Sequence, residues 1–552
     1  MESHLIMKKL IYTSLLFSGL FCTSIATAGL STGQVIVKFK PTSSGEKALV
    51  TPDKAQSFSS SLGSDLTHKR NMSGDAEVFS VSNNLSDAEL NNLLSELNSR
   101  ADIEYASKDT VMRPLATSVD DPEFARQWYL FPSGQIGASN QSPGSVDAQN
   151  AWDSTPNFGS GIVVAVIDTG VLTHEDLLSS VNGEDFIENF SVAADGNGRD
   201  DDATDPGDSL TADEISADSI FLGCIEENSS WHGTLVSGVI GARTNNTLGI
   251  AGIAGNTTLL MGRALGKCGG FTSDIIDAVR WAAGLVVANT TTPAQKADVI
   301  NLSLGGGGSC SAAMQAAIDD VLATGTVIVT AAGNSAENAS LHSPGNCKGT
   351  INVAANTRRG SRAPYSNFGI DIDIAAPGGN TGFAAGDGIH TTSNSGETDA
   401  NLANTNDGEG VRTYLPVQGT SFSAPIVSGT IALMLEAAGG SGQLTPTQIY
   451  GTLLATAFQF PTSGFESNAT TACTTSTCGT GITNTNAAVK AVVAGQITNT
   501  PFPNRSALAT QGAVNETVQP LFTPNSGGSS IAPWFIILLS CSLARFIRRN
   551  SN

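Results

Sequence analysis

The sequence predicts an α/β protein in which a parallel sheet is covered on both faces by helices, giving three layers, behind a small α+β unit. Three observations lead there. Short apolar runs recur between residues 161 and 354 without the polar alternation of a half-exposed strand. Stretches of helical spacing lie between those runs, so consecutive strands are joined by crossovers and run parallel. A separate set of apolar periodicities ends before a boundary at 113–118 and belongs to an earlier unit.

The elements follow in order. Lys8-Lys9 precede an apolar run from Leu10 to Ile25 and then Ala26-Thr27-Ala28, so residues 1–28 are expected to be an export signal removed before Gly29. Within 29–117, Val35 to Lys40 alternates like a strand. Leu85 to Leu97 has helical spacing with Ser86 as candidate cap, and Ile103 to Ala106 reads as another strand. The main domain, 118–494, is expected to place strands at 161–167, 259–264, 299–304, 327–331 and 350–354. Its helices are expected at 233–242, 272–287, 311–324 and 421–438. A shift to Thr, Pro, Asn and Ser marks 495–526 as linker. Residues 527–552 combine a glycine-rich lead, an apolar run from Ile531 to Ala544, and Arg545, Arg548 and Arg549. That run falls short of the about twenty residues that span a bilayer, so a sorting tail with transient membrane anchoring is expected.

Net charge is −22, and between Ser118 and Thr500 37 Asp and Glu stand against 13 Lys and Arg. A polyanion would be repelled, which argues against nucleic acid as a partner. The acidic run from Asp195 to Asp208 reads equally as a solvated turn or a cation site. Export places the cysteines in an oxidising compartment. Setting aside Cys22 and Cys541 leaves six, which allow fifteen pairings, so counting fixes none. The sequential pairs Cys224–Cys268, Cys310–Cys347 and Cys473–Cys478 are the expectation, the first two stapling loops beside the site.

Three remote strings carry the chemistry: Ala165-Val166-Ile167-Asp168-Thr169-Gly170, Trp231-His232-Gly233-Thr234, and Gly419-Thr420-Ser421-Phe422-Ser423-Ala424-Pro425. A serine hydroxyl becomes a nucleophile when a histidine takes its proton, and the histidine needs a buried carboxylate to fix its tautomer. Asp, His and Ser, each among small residues that permit close backbone approach, point to hydrolysis through an acyl intermediate. His4 and His68 lie outside the catalytic segment and His174 and His390 lack the adjacent Gly-Thr, so all four compete poorly as the base. His342 reads as a loop histidine.

In order and setting these strings resemble the subtilisin-like serine proteases, the subtilases, over roughly 120–493. The resemblance implies a subtilisin-like fold, an endopeptidase acting on polypeptides, and a preceding unit that serves as an inhibitory propeptide. It makes Asp168 the orienting acid, His232 the base and Ser421 the nucleophile at a helix start, with Pro425 in the first helical turn. Ala331-Ala332-Gly333-Asn334 matches the family's oxyanion asparagine, so Asn334 is expected to donate its amide there. Asn301 to Gly306, with Ser303, Leu304 and Gly305, resembles one substrate-lining strand, and Leu265 to Phe271, with Gly269 and Gly270, resembles the opposite one. The pocket strings hold no acidic cluster, so broad cleavage after apolar residues is expected. Structural Ca²⁺ is implied on Asp121, Asp176, the Asn246 side chain and the carbonyls of Thr244, Leu248 and Ile250, an all-oxygen set. Leu235 departs from the second histidine that many relatives carry three residues after the base. A secreted monomer is the expected form.

Overall fold

The computed structural model describes residues 31–41, 66–81, 87–110, 119–134, 142–177, 182–400, 413–462 and 472–505. The chain divides into two units between Leu115 and Ala116. The export signal, most of the linker, the sorting tail and the candidate cap Ser86 lie outside the described residues.

The first unit is an antiparallel sheet of β1 (Ser31–Phe39), β2 (Leu66–Met72), β3 (Ala76–Val81) and β4 (Ile103–Thr110), ordered β2-β3-β1-β4. Helix α1 (Asp87–Ser99) buries Leu90, Leu93 and Leu97 against Val35, Val37, Phe79 and Ile103. Strand β2 escapes sequence reading because Thr67-His68-Lys69-Arg70-Asn71 shows no apolar alternation, yet it pairs along β3. The turn between them is made by Gly74 and Asp75, both at positive φ.

The second unit is built on a seven-stranded sheet in which every neighbour pair is parallel. Its strands are β5 (Val163–Asp168), β6 (Asn182–Asp185), β7 (Thr258–Arg263), β8 (Val299–Leu302), β10 (Val327–Ala331), β12 (Thr350–Asn356) and β13 (Ile374–Pro377). The order is β13-β12-β10-β8-β5-β7-β6. Two further pairs are antiparallel: β9 (Gly306–Gly307) with β11 (His342–Ser343), and β14 (Ile389–Ser393) with β15 (Thr413–Val417).

Period-two alternation along β5 explains the layers. Val164 and Val166 join a core with Val236, Val239 and Ile240 of α2 (His232–Gly241) and Ile426, Val427 and Ile431 of α5 (Thr420–Ala437). Val163, Ala165 and Ile167 join the opposite core, with Ile275 and Val279 of α3 (Thr272–Ala282) and Met314, Ile318 and Val321 of α4 (Ala312–Ala323). Helix α5 is apolar enough to cross a membrane but is 89% buried. An all-round apolar helix of this kind is the central element of a core. Asp168, Ser303 and Asn334 all stand at or just past the carboxyl ends of strands, where crevices open in parallel sheets.

Helices α6 (Pro446–Ala455) and α7 (Thr485–Val493) close the unit. Residues 495–505, expected to be linker, pack on it instead. The Phe502 ring lies 4.5 Å from Tyr450, and the buried Arg505 guanidinium pairs with Asp373 while donating to the carbonyls of Gly345 and Cys347, each at 2.9 Å. Polar composition hid this, because the anchoring comes from single side chains rather than a periodic face.

Candidate active site

Asp168 ends β5 and is fully buried. Its Oδ1 accepts from the His232 imidazole Nδ1 at 2.8 Å and from the Thr169 backbone N–H at 2.8 Å. His232 is the first residue of α2, so its position is set by a helix terminus. Trp231 before it sits at φ 51°, a left-handed conformation uncommon for a bulky residue. The buried Trp231 ring holds that conformation, its Nε1 donating to Gly396 O at 2.7 Å. Burial is the largest single influence on His232 and depresses its pKa, but it is outweighed by the summed effect of its acidic neighbours, led by the charge and hydrogen bond of Asp168. Asp208 and Asp205 add to them, so the group titrates above its ordinary 6.5.

Helix α5 starts at Thr420 after Gly419, whose φ is 151°. The His232 ring lies 5.8 Å from that of Phe422, next in sequence to Ser421. The Ser421 hydroxyl donates to the Ser303 carbonyl at 3.2 Å, and no hydrogen bond joins it to the imidazole among the described residues. Pro425 falls in the second turn, not the first. Lacking an N–H, it leaves the Ser421 carbonyl without its helical donor four residues on. The Ser303 hydroxyl supplies one at 2.6 Å. This contact ties the serine string to the strand end at β8, and sequence spacing gave no sign of it.

Asn334 follows β10, and its Oδ1 accepts from both the backbone N–H and the hydroxyl of Thr420, each at 2.9 Å. The side-chain amide is thereby fixed with its N–H₂ directed away from Thr420, beside Gly419. Of the substrate-binding candidates, Ser303 is buried against Ser421 as described. Leu304 packs on the core beneath, and Gly305 faces the Ser343 carbonyl, which a Cβ would approach to 2.9 Å. The opposite segment differs from expectation. Gly266 and Gly269 exchange backbone hydrogen bonds of 2.9 Å across a two-residue turn, with Cys268 at φ 66°, so 266–269 is a closed turn rather than an extended strand. A Cβ on Gly270 would meet the Ala264 carbonyl at 2.0 Å, which restricts that position to glycine.

The structure pairs Cys224 with Cys268, Cys310 with Cys347 and Cys473 with Cys478, at Cα separations of 6.0, 5.1 and 5.4 Å. The first joins the 266–269 turn to the loop after β6, and the second joins the loops that follow β9 and β11.

The calcium candidates also meet. Asp121 accepts from the N–H groups of Asn245 and Asn246 at 3.0 and 3.2 Å. Asp176 accepts from Asn246 Nδ2 and Ile250 N–H at 2.8 Å each. Both acids are buried. Burial raises both, taking Asp176 to about 6 with the Asp121 charge adding to it. Two buried carboxylates, supported by these neutral N–H donors and repelling one another, form a donor set that a hard cation fits. The fit is incomplete at Asn246, whose Oδ1 is engaged by Leu248 N–H at 2.9 Å. Among the described residues no group of three or more His, Cys, Asp or Glu is placed to hold a metal.

A profile of the subtilase family matches residues 159–494. The chain is 37% identical over 487 residues to an extracellular protease of Xanthomonas campestris pv. campestris, covering 86% of this chain and 76% of that protein. It is 35% identical over 474 residues to an extracellular basic protease of Dichelobacter nodosus, covering 85% and 72%. Among solved structures, a protease of Pseudoalteromonas arctica PAMC 21717 aligns with a TM-score of 0.59 and 42% identity, over 68% of this chain and all of that one.

Proposed function

The chain belongs to the subtilase family and is a subtilisin-like serine protease, and from that premise we propose that it is an exported endopeptidase whose triad is Asp168, His232 and Ser421. The observation that carries this reading is the buried Asp168–His232 hydrogen bond of 2.8 Å, set beside the helix start that bears Ser421. In the reaction the Ser421 hydroxyl turns from the Ser303 carbonyl to His232 Nε2 and attacks the scissile carbonyl as the imidazole takes its proton. Catalytic hydrogen bonds often tighten only in the substrate complex. His232 then returns the proton to the leaving amine, and water releases the acyl group by the reverse sequence. Asp168 holds Nδ1–H and stabilises the imidazolium.

Asn334 Nδ2 and the Ser421 backbone N–H are the two donors for the developing oxyanion. Asn334→Ala removes one and also frees Thr420, so kcat should fall about 10²- to 10³-fold, equivalent to about 2.7–4 kcal/mol, with KM changed less. Steady-state kinetics on a chromogenic peptide measure this. A KM effect with kcat intact would make Asn334 a contributor to substrate binding alone and take it out of the oxyanion hole.

Residues 29–117 act as intramolecular inhibitor and are cut away near 113–118, which makes the precursor a zymogen. Extended polypeptides with an apolar residue before the cleaved bond are the favoured substrates, held beside Ser303-Leu304-Gly305. Relatives named as extracellular proteases support secretion, and residues 527–552 anchor the monomer transiently before its release. The test is hydrolysis of casein by the matured chain, blocked by a serine-directed organophosphate. Only neutral imidazole accepts the serine proton, so kcat/KM should rise with pH through a value above 6.5, in keeping with the raised His232. A matured chain that cleaves no polypeptide under these conditions overturns the reading.

Asp121, Asp176 and Asn246, with the carbonyls of Thr244, Leu248 and Ile250, would hold a structural Ca²⁺ that neutralises the paired carboxylates and pins the 244–250 loop. Calcium at one hundred times its Kd would contribute about 2.7 kcal/mol. Chelation should therefore lower Tm, and Asp176→Asn should remove the calcium dependence. A parent protein with the same Tm in EGTA and in calcium has no such site.

A further inference from the structure

The acidic loop after β6 turns two carboxylates inward. Asp205 is 2% exposed, and its Oδ2 accepts from the Thr169 hydroxyl at 2.7 Å. The same Thr169 oxygen accepts from Gly233 N–H at 3.0 Å. One carboxylate thus joins the residue after Asp168 to the residue after His232. Asp208 accepts from the Ser230 N–H and the Ser230 hydroxyl, both at 2.6 Å. Ser230 Oγ in turn accepts from His232 N–H at 3.3 Å. The early N–H groups of a helix have no helical partner, so Thr169 and Ser230 supply the acceptors that α2 lacks at His232 and Gly233.

Glycines let these segments approach. A Cβ on Gly233 would meet the Gly170 carbonyl at 2.0 Å, and one on Gly170 would meet the Ala203 carbonyl at 2.7 Å. The loop itself is fixed from outside. Gly207 at φ 105° packs so closely on the Thr398 carbonyl that a Cβ would come within 2.3 Å, and Asp205 Oδ1 accepts from Gly207 N–H at 2.9 Å.

We propose that Asp205 and Asp208 are positioning residues for the triad, Asp205 acting through Thr169 on the Asp168 and His232 strings and Asp208 acting through Ser230 on His232. Neither touches a substrate. This rests on the triad reading above, and it assigns to a loop outside the three motif strings the task of holding two of them in register. Positioning of this kind matters because a misplacement of about 1 Å costs on the order of 10²-fold in rate. The charges facing His232 are Asp168, Asp205 and Asp208, with Glu227 beside Asp208 and Arg263 acting on Asp205.

The test compares Asp205→Ala, Asp205→Asn, Asp208→Ala and Asp208→Asn in the full chain after maturation, with kcat counted per active site titrated by an organophosphate. Each alanine variant should lose about tenfold or more in kcat with KM within about twofold. Asp205→Asn keeps an acceptor for Thr169 and should recover most of that loss. Asp208→Asn keeps an acceptor for Ser230 N–H but removes a charge that favours the imidazolium. Its acidic limb should move down at nearly parental plateau kcat. A purely structural role would lower Tm and the number of titratable sites but leave kcat per site and the limb unmoved. Where an alanine variant yields no titratable sites, the limb of Asp208→Asn decides. Parental kcat per site in both alanine variants, or an unmoved limb in Asp208→Asn, overturns the proposal. Activity persisting in Ser421→Ala would instead sink the triad reading on which it stands.

Discussion

Ser421→Ala is expected to leave a folded chain whose turnover of protein substrate falls about 10⁶-fold. The fold should survive because the hydroxyl makes one modest contact, the 3.2 Å hydrogen bond to the Ser303 carbonyl. The stronger tie runs the other way, from the Ser303 hydroxyl to the Ser421 backbone carbonyl, and alanine retains that carbonyl. Alanine also suits the start of a helix, and nothing larger is introduced into a buried position. What disappears is the proposed nucleophile. If the same serine cuts the junction near 113–118, the variant should accumulate at precursor mass while the parent matures. Adding a trace of active parent would separate cleavage within one molecule from cleavage between molecules. Electrophoretic mass, casein hydrolysis and Tm together decide the matter. A variant that reaches mature size unaided and digests casein would remove Ser421 from the chemistry, whereas a variant that fails to fold would show in Tm before any kinetic comparison.

The sheet was legible because buried parallel strands advertise themselves as unbroken apolar runs. Five of its seven strands came from that signal, with no end shifted by more than two residues. Strands β6 and β13 were missed for a physical reason. Asn182–Asp185 is polar and lies at the sheet edge, while Ile374–Pro377 is a four-residue edge strand ending in proline, too short for a period to show. The candidate site was legible only at its reacting groups, since those alone demand particular residue types at particular neighbours. Its support was not. Thr169 with Asp205 and Ser230 with Asp208 form two hydrogen-bonded pairs across segments tens of residues apart, and a sequence shows no distance between them. The acidic run, which reads equally as a solvated turn or a cation site, shows the same blindness: composition reports charge, but it does not report that Asp205 and Asp208 point inward.

Asp168→Asn should lower kcat/KM by about 10⁴, and the geometry of Asp168 explains why no rotamer rescues it. Oδ1 receives two donors, His232 Nδ1–H and Thr169 N–H, while Oδ2 is buried with no hydrogen-bond partner among the described residues. An asparagine that keeps its oxygen at the Oδ1 position preserves the tautomer of His232 but strands its N–H₂ where Oδ2 was, at a cost of about 1–3 kcal/mol. The flipped amide points N–H₂ at the Thr169 N–H and forces His232 Nδ1 to accept, leaving Nε2 protonated and unable to act as base. Both arrangements lose the negative charge that stabilises the imidazolium. The pH profile adds an independent sign. Asp168 holds the His232 pKa up, so its neutralisation should carry the acidic limb of the residual activity downward from its parental place above 6.5. Loss of rate with the limb unmoved would mean that the carboxylate shapes the fold around His232 without acting on the charge of the ring, and the charge-relay account would have to be abandoned for this pair.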